Sequence, residues 1–188
     1  KGILLSELGK ISDAVTAFNK ALDINSGLVD IWMRKGDALN VLGRTEDAAD
    51  AYAQALKLNP DQEDGWIKEG RALFDLGRYQ DAIDAFDNAI ALNQRSTGAF
   101  LYKGFSLEKI NRIKEAIQVF EVLLEIDASN SEAHYHMGLA LANSGRQKEA
   151  LLSFEAAIKI RESFAPAWYN KGKMLLDLGK YPEAVAAF

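Results

Sequence analysis

Between Val29 and Asn59 the apolar residues fall at helical spacing. Trp32, Gly36 and Leu39 stand at i, i+4 and i+7, one stripe of a helix. Gly43 predicts a stop, because glycine enters the left-handed backbone region that closes a helix. Thr45 is the predicted N-cap of a second helix, with Glu46 and Asp47 in its first turn, where the helix dipole favours anions. Ala48, Tyr52, Ala55 and Leu56 form a second apolar stripe. The stretch predicts a helix hairpin. Strand-like alternation occurs nowhere in the chain.

The same arrangement recurs along the whole sequence. Gly2, Gly36, Gly70, Gly104, Gly138 and Gly172 are each 34 residues apart. Gly9, Gly43, Gly77, Gly145 and Gly179 follow seven residues behind, and Asn111 fills their one gap. Asparagine also tolerates the left-handed region, so the gap keeps the predicted turn. Three further columns keep step: Ala14 to Ala184, Leu5 to Leu175, and an aromatic column of Phe18, Tyr52, Phe86, Phe120, Phe154 and Phe188. A basic residue follows each turn position, from Lys10 to Lys180. A fixed period of this size indicates a solenoid or array. Gly36 and Ala48 are predicted to face each other across the hairpin, where small residues let two backbones approach. Pro166 and Pro182 fall at predicted helix starts and Pro60 just after a helix end, positions proline tolerates.

The pattern Trp32, Gly36, Leu39, Gly43, Ala48, Tyr52, Ala55, Pro60 resembles the tetratricopeptide repeat. The resemblance covers the chain and implies an all-α fold, a right-handed α-solenoid of tandem 34-residue helix-turn-helix repeats. The predicted organisation is a single array over 1–188. It has complete repeats at 29–62, 63–96, 97–130 and 131–164 and partial ones at 1–28 and 165–188. The repeat at 97–130 is the least regular, with Asn111 in the turn and Leu123 where its neighbours carry alanine. The chain starts at Lys1 and shows no polar capping helix, so a piece of a longer array is expected. Apolar faces left at the ends, by Leu5 and Phe18 and by Trp168, Leu175 and Phe188, predict either self-association through the terminal repeats or additional disordered residues there, the alternative being a monomer whose ends fray.

Composition narrows the function. The 22 basic and 27 acidic residues give a net charge of −5, without the basic field that nucleic acid or an anionic membrane requires. No cysteine is present, so disulfides, thiolate metal sites and cysteine nucleophiles are excluded. No apolar run approaches the roughly 18 residues of a membrane span, and no secretory signal is visible, so a cytoplasmic location is expected. There is no Walker loop, dinucleotide fingerprint or metalloprotease pair, and the glycine spacing is the repeat ruler. His134 and His136 point roughly 200° apart on one helix and cannot chelate together. His134 instead occupies the packing column of Trp32, Trp66, Phe100 and Trp168. The pairs Asp81/Asp84 and Glu46/Asp47 are read as dipole-favoured, not as acid–base catalysts. No catalytic residue, cofactor or metal is predicted.

The resemblance implies that the stripe beside the core positions of each first helix lines a concave groove for an extended or helical peptide. Its members are Arg34, Asp37, Asn40, Lys68, Arg71, Phe74, Tyr102, Phe105, Tyr135, His136, Tyr169 and Lys173. The stripe reads as cationic first and aromatic later; aromatic and arginine anchors are typical of binding hot spots. Two alternatives stand beside this. Leu101, Phe105 and Leu139 could pack on the adjacent repeat, and Arg34, Lys68 and Arg71 could be solvated cations interleaved with Asp37 and Asp75. One subfamily binds terminal carboxylates through a lysine that would fall at Met33, Ile67, Leu101, Tyr135 or Tyr169; none matches. The expected function is a non-catalytic scaffold binding a protein or peptide partner. The alternative is the regulatory region of a larger enzyme.

Overall fold

In the computed structural model, which describes residues 1–188, twelve helices follow one another without a strand. They are α1 (Gly2–Glu7), α2 (Ile11–Ile24), α3 (Val29–Val41), α4 (Thr45–Leu58), α5 (Glu63–Asp75), α6 (Tyr79–Leu92), α7 (Thr97–Lys109), α8 (Ile113–Ile126), α9 (Ser131–Asn143), α10 (Gln147–Ile160), α11 (Ala165–Asp177) and α12 (Tyr181–Ala187). The architecture is an α-solenoid of helical repeats. Residues group into two compact units, Lys1–Tyr102 and Lys103–Phe188, the boundary falling inside α7.

Within each hairpin the turn is closed by backbone bonds. The Gly43 N–H donates to Asn40 O at 2.9 Å and the Arg44 N–H to Leu39 O at 3.0 Å. That closure needs a left-handed residue, and Gly43 has φ +71°. Asn111 takes the same role at φ +60°. A Cβ pays a steric cost there, so Asn111→Gly is expected to be neutral or stabilising by about 0–1 kcal/mol, checked by chemical denaturation.

Thr45, the predicted N-cap, does not cap the helix. The first helical bond of α4 runs from the Ala48 N–H to the Arg44 carbonyl, so Arg44 is the N-cap and Thr45 the first helical residue. No side chain caps the helix. Instead the Arg44 Nε–H donates to Asp47 at 2.7 Å. The pairing recurs at Arg78–Asp81, Arg112–Glu115 and Arg146–Glu149. These pairs are exposed and add little stability individually. The longer loops between hairpins share another device: Asn25, Asn59, Asn93 and Asp127 each accept, through the side chain, a bond from the backbone N–H two residues on.

The close contact within each hairpin also differs from expectation. A Cβ built on Gly70 would lie 2.6 Å from the Phe86 ring, and one on Gly138 would lie 2.6 Å from the Phe154 ring. The glycine column therefore makes room for the aromatic column, one turn beyond the alanines. Ala48, Ala82, Ala116 and Ala150 are fully buried beside that contact. Phe86, Phe120 and Phe154 are fully buried as well. Pro166 and Pro182 lie in the first turns of α11 and α12.

Candidate interaction surface

The predicted stripe lies on the first helices of the hairpins. In the first unit it comprises Arg34, Asp37 and Asn40 of α3, Lys68, Arg71 and Phe74 of α5, and Tyr102 of α7. In the second it comprises Phe105 of α7, Tyr135 and His136 of α9, and Tyr169 and Lys173 of α11. None of the twelve is fully buried. Arg34, Asn40, Arg71, Tyr169 and Lys173 are exposed.

Within each unit, stripe residues of consecutive first helices meet in contacts of differing chemistry. Lys68 Nζ lies 3.0 Å from Asp37, and Asp64 one turn back is also 3.0 Å away. Asp37 accepts a further bond, from Tyr52 Oη at 2.9 Å. Burial works against the Lys68 charge, but the bonds to Asp64 and Asp37 outweigh it and raise its pKa. Burial, with Asp37 beside it, raises the Tyr52 phenol too, so that hydroxyl stays a donor. The next contact places the Arg71 guanidinium over the Tyr102 ring at 5.0 Å. Phe74 meets Tyr102 edge-on at 5.8 Å. In the second unit the His136 ring lies 4.1 Å from that of Phe105. His136 Nδ1 lies 2.8 Å from Glu108 Oε2. Tyr135 packs between Phe154 and Phe164, and its hydroxyl accepts from Asn170 Nδ2 at 3.3 Å. Tyr169, 62% exposed, meets the Phe188 ring in an edge-type contact, with centroids 5.9 Å apart.

These contacts correct the picture of a cationic first half. Arg34 is paired with Asp30 at 2.9 Å and Lys68 with two carboxylates. Arg71 alone among the three keeps a guanidinium without a carboxylate within ion-pair distance. Phe105 does pack on the next repeat. Asp30, Asp64 and Glu108 join the stripe's contacts without standing out in the sequence, and the buried Tyr52 reaches it through its hydroxyl. Tyr52 was findable, being the one hydroxylated member of the aromatic column.

His134 does what its column suggests. Its Nε2 lies 3.2 Å from Ala128 O, as the indole N–H groups of Trp32, Trp66 and Trp168 donate to Ser26 O, Pro60 O and Glu162 O. A carbonyl only accepts, so Nε2 carries the proton. No group of three or more His, Asp or Glu side chains is placed to hold a metal ion. No helix is long and apolar enough to cross a membrane.

Comparisons with known proteins agree with the fold. A family profile described as "Tetratricopeptide repeat" matches residues 1–63 and 67–131. One described as "Anaphase-promoting complex, cyclosome, subunit 3" matches residues 109–188. No curated protein matches. Among solved structures the chain is similar to YrrB, a TPR protein with an unusual peptide-binding site. The TM-score is 0.83 at 25% identity, over 90% of this chain and 88% of YrrB. It is similar to MamA with TM-score 0.83 and 26% identity, over 87% of this chain and 96% of MamA. PilW, a type IV pilus biogenesis factor, shares the fold at TM-score 0.79 and 19% identity, over 99% of this chain and 86% of PilW.

Proposed function

We propose that this chain, which belongs to the tetratricopeptide repeat family, is a non-catalytic scaffold that holds a peptide segment of a partner protein along the stripe. The observation that carries the reading is Arg71. It is exposed, has no carboxylate partner, and lies over Tyr102 beside Phe74. An arginine held over an aromatic ring keeps its N–H groups available for directional hydrogen bonding, and arginine and tyrosine are enriched in binding hot spots. On α11 an aromatic residue, Tyr169, and a cation, Lys173, are both exposed. The similarity to YrrB, a TPR protein with a peptide-binding site, supports the same class of ligand.

The test is an array of synthetic peptides probed with the intact chain, followed by titration of the selected peptides. Arg71→Ala and Tyr169→Ala remove exposed side chains, so thermal melts are expected to stay near wild type. Each is expected to weaken binding by about tenfold or more. An array that selects nothing, or variants that bind every selected peptide as wild type does, would overturn the reading.

A further inference from the structure

The face of α5 turned away from the stripe carries an unexplained carboxylate. Glu69 lies between Lys68 and Gly70, half-buried, in a cleft between α4 and α6. Its column elsewhere reads Lys35, Lys103, Met137 and Lys171, so the position is otherwise basic or apolar. In the second unit the arrangement is complete: Lys171 Nζ meets Glu155 of the preceding second helix at 3.1 Å. The residue matching Glu155 in the Glu69 cleft is Ala53. Here the charge is reversed and its counter-ion is gone. Glu69 makes neither hydrogen bond nor ion pair.

The charged groups around it do not supply the lack. From α4 the cleft presents Asp50, and from α6 and its cap it presents Arg78, Asp81 and Asp84. Arg78 is already engaged, by Asp81 at 2.8 Å and by Glu46 at 3.6 Å. The rest of the lining near Glu69 includes Leu73 and Ala53, which solvate no charge.

We propose that Glu69 is a proton-binding site that makes the packing of α5 between α4 and α6 respond to pH, the seated carboxyl being uncharged. Burial pushes this carboxyl up to about 7; Arg78 opposes the rise and Asp81 adds to it. The unfolded chain has the ordinary carboxylate value of about 4.3. The folded form therefore holds the proton more tightly, and stability is lost as pH rises from about 4.3 to 7. Because α5 also carries Lys68 and Arg71, the proton acts on the helix that displays them, whatever the ligand.

Urea unfolding of the intact chain between pH 5 and 8 tests this. The wild-type folding constant is expected to fall by on the order of a hundredfold across that range, beyond the change in Glu69→Gln. Subtracting Glu69→Gln cancels the titration of groups that do not interact with Glu69. Ala53→Lys restores a counter-ion in mirror image of Lys171–Glu155 and is expected to remove the same component while raising stability at pH 8. A wild-type-minus-Gln difference that is flat with pH would overturn the proposal. So would a Glu69 carboxyl carbon that titrates by NMR in the ordinary carboxylate range, a readout needing no variant.

Discussion

Gly70→Leu is expected to be among the most damaging single changes, costing about 3 kcal/mol or more. Even the first added carbon would lie 2.6 Å from Phe86 Cε1, inside any real carbon–carbon contact. The ring cannot swing away, because Phe86 is fully buried and closed in by α5, α6 and Tyr102, whose ring lies 5.9 Å off. Relief must come from separating α5 from α6. Denaturant titration with far-UV circular dichroism measures the loss. The double variant Gly70→Leu/Phe86→Ala separates overpacking from a helix-propensity effect. Removing the ring opens the space the leucine needs, so the pair is expected to be less destabilised than the sum of the two single changes. Strict additivity would contradict the contact.

Phe120→Ala is expected to cost about 3–5 kcal/mol, the usual range for deleting a buried phenylalanine. Phe120 is fully buried in α8. Its ring also supports the stripe, with Phe105 at 6.2 Å and His136 at 6.1 Å. The loss should therefore show in two signals at once: a lower unfolding midpoint, and displaced side-chain resonances of His136. Phe120→Leu keeps most of the volume and is expected to cost clearly less. Equal costs for the two variants would mean that the cavity is not what matters.

Much of this fold was legible because its causes are local. A left-handed turn needs glycine or asparagine within a few bonds, so the turn column, including Asn111, could be read directly. The column of Asn25, Asn59, Asn93 and Asp127 is equally local, since each side chain bonds a backbone N–H only two residues on. Residue type alone points to Thr45 because it does not say which carbonyl accepts first; the Ala48 N–H bond to the Arg44 carbonyl does. The surface was legible as a set of positions but not as a set of charges. Whether Lys68 is a free cation depends on Asp37, 31 residues earlier, and that contact exists only once two repeats are stacked. The Glu69 anomaly likewise emerges only when its column is laid beside the column of Ala53.

The hydrogen-bonded indoles of the first helices have an optical consequence. Trp32 and Trp66 lie in the first unit and Trp168 in the second, each tied to the carbonyl six residues before it. The equivalent positions in the two intervening repeats hold Phe100 and His134, which do not fluoresce usefully beside tryptophan. Intrinsic emission therefore samples three loops and is blind to the middle of the chain, whereas circular dichroism weighs all twelve helices. In an array whose stability is a sum of near-neighbour terms, the two signals need not move together. A gap between their unfolding midpoints would mark repeats that melt while the lit ones hold, and Phe100→Trp or His134→Trp would illuminate the dark stretch to locate them.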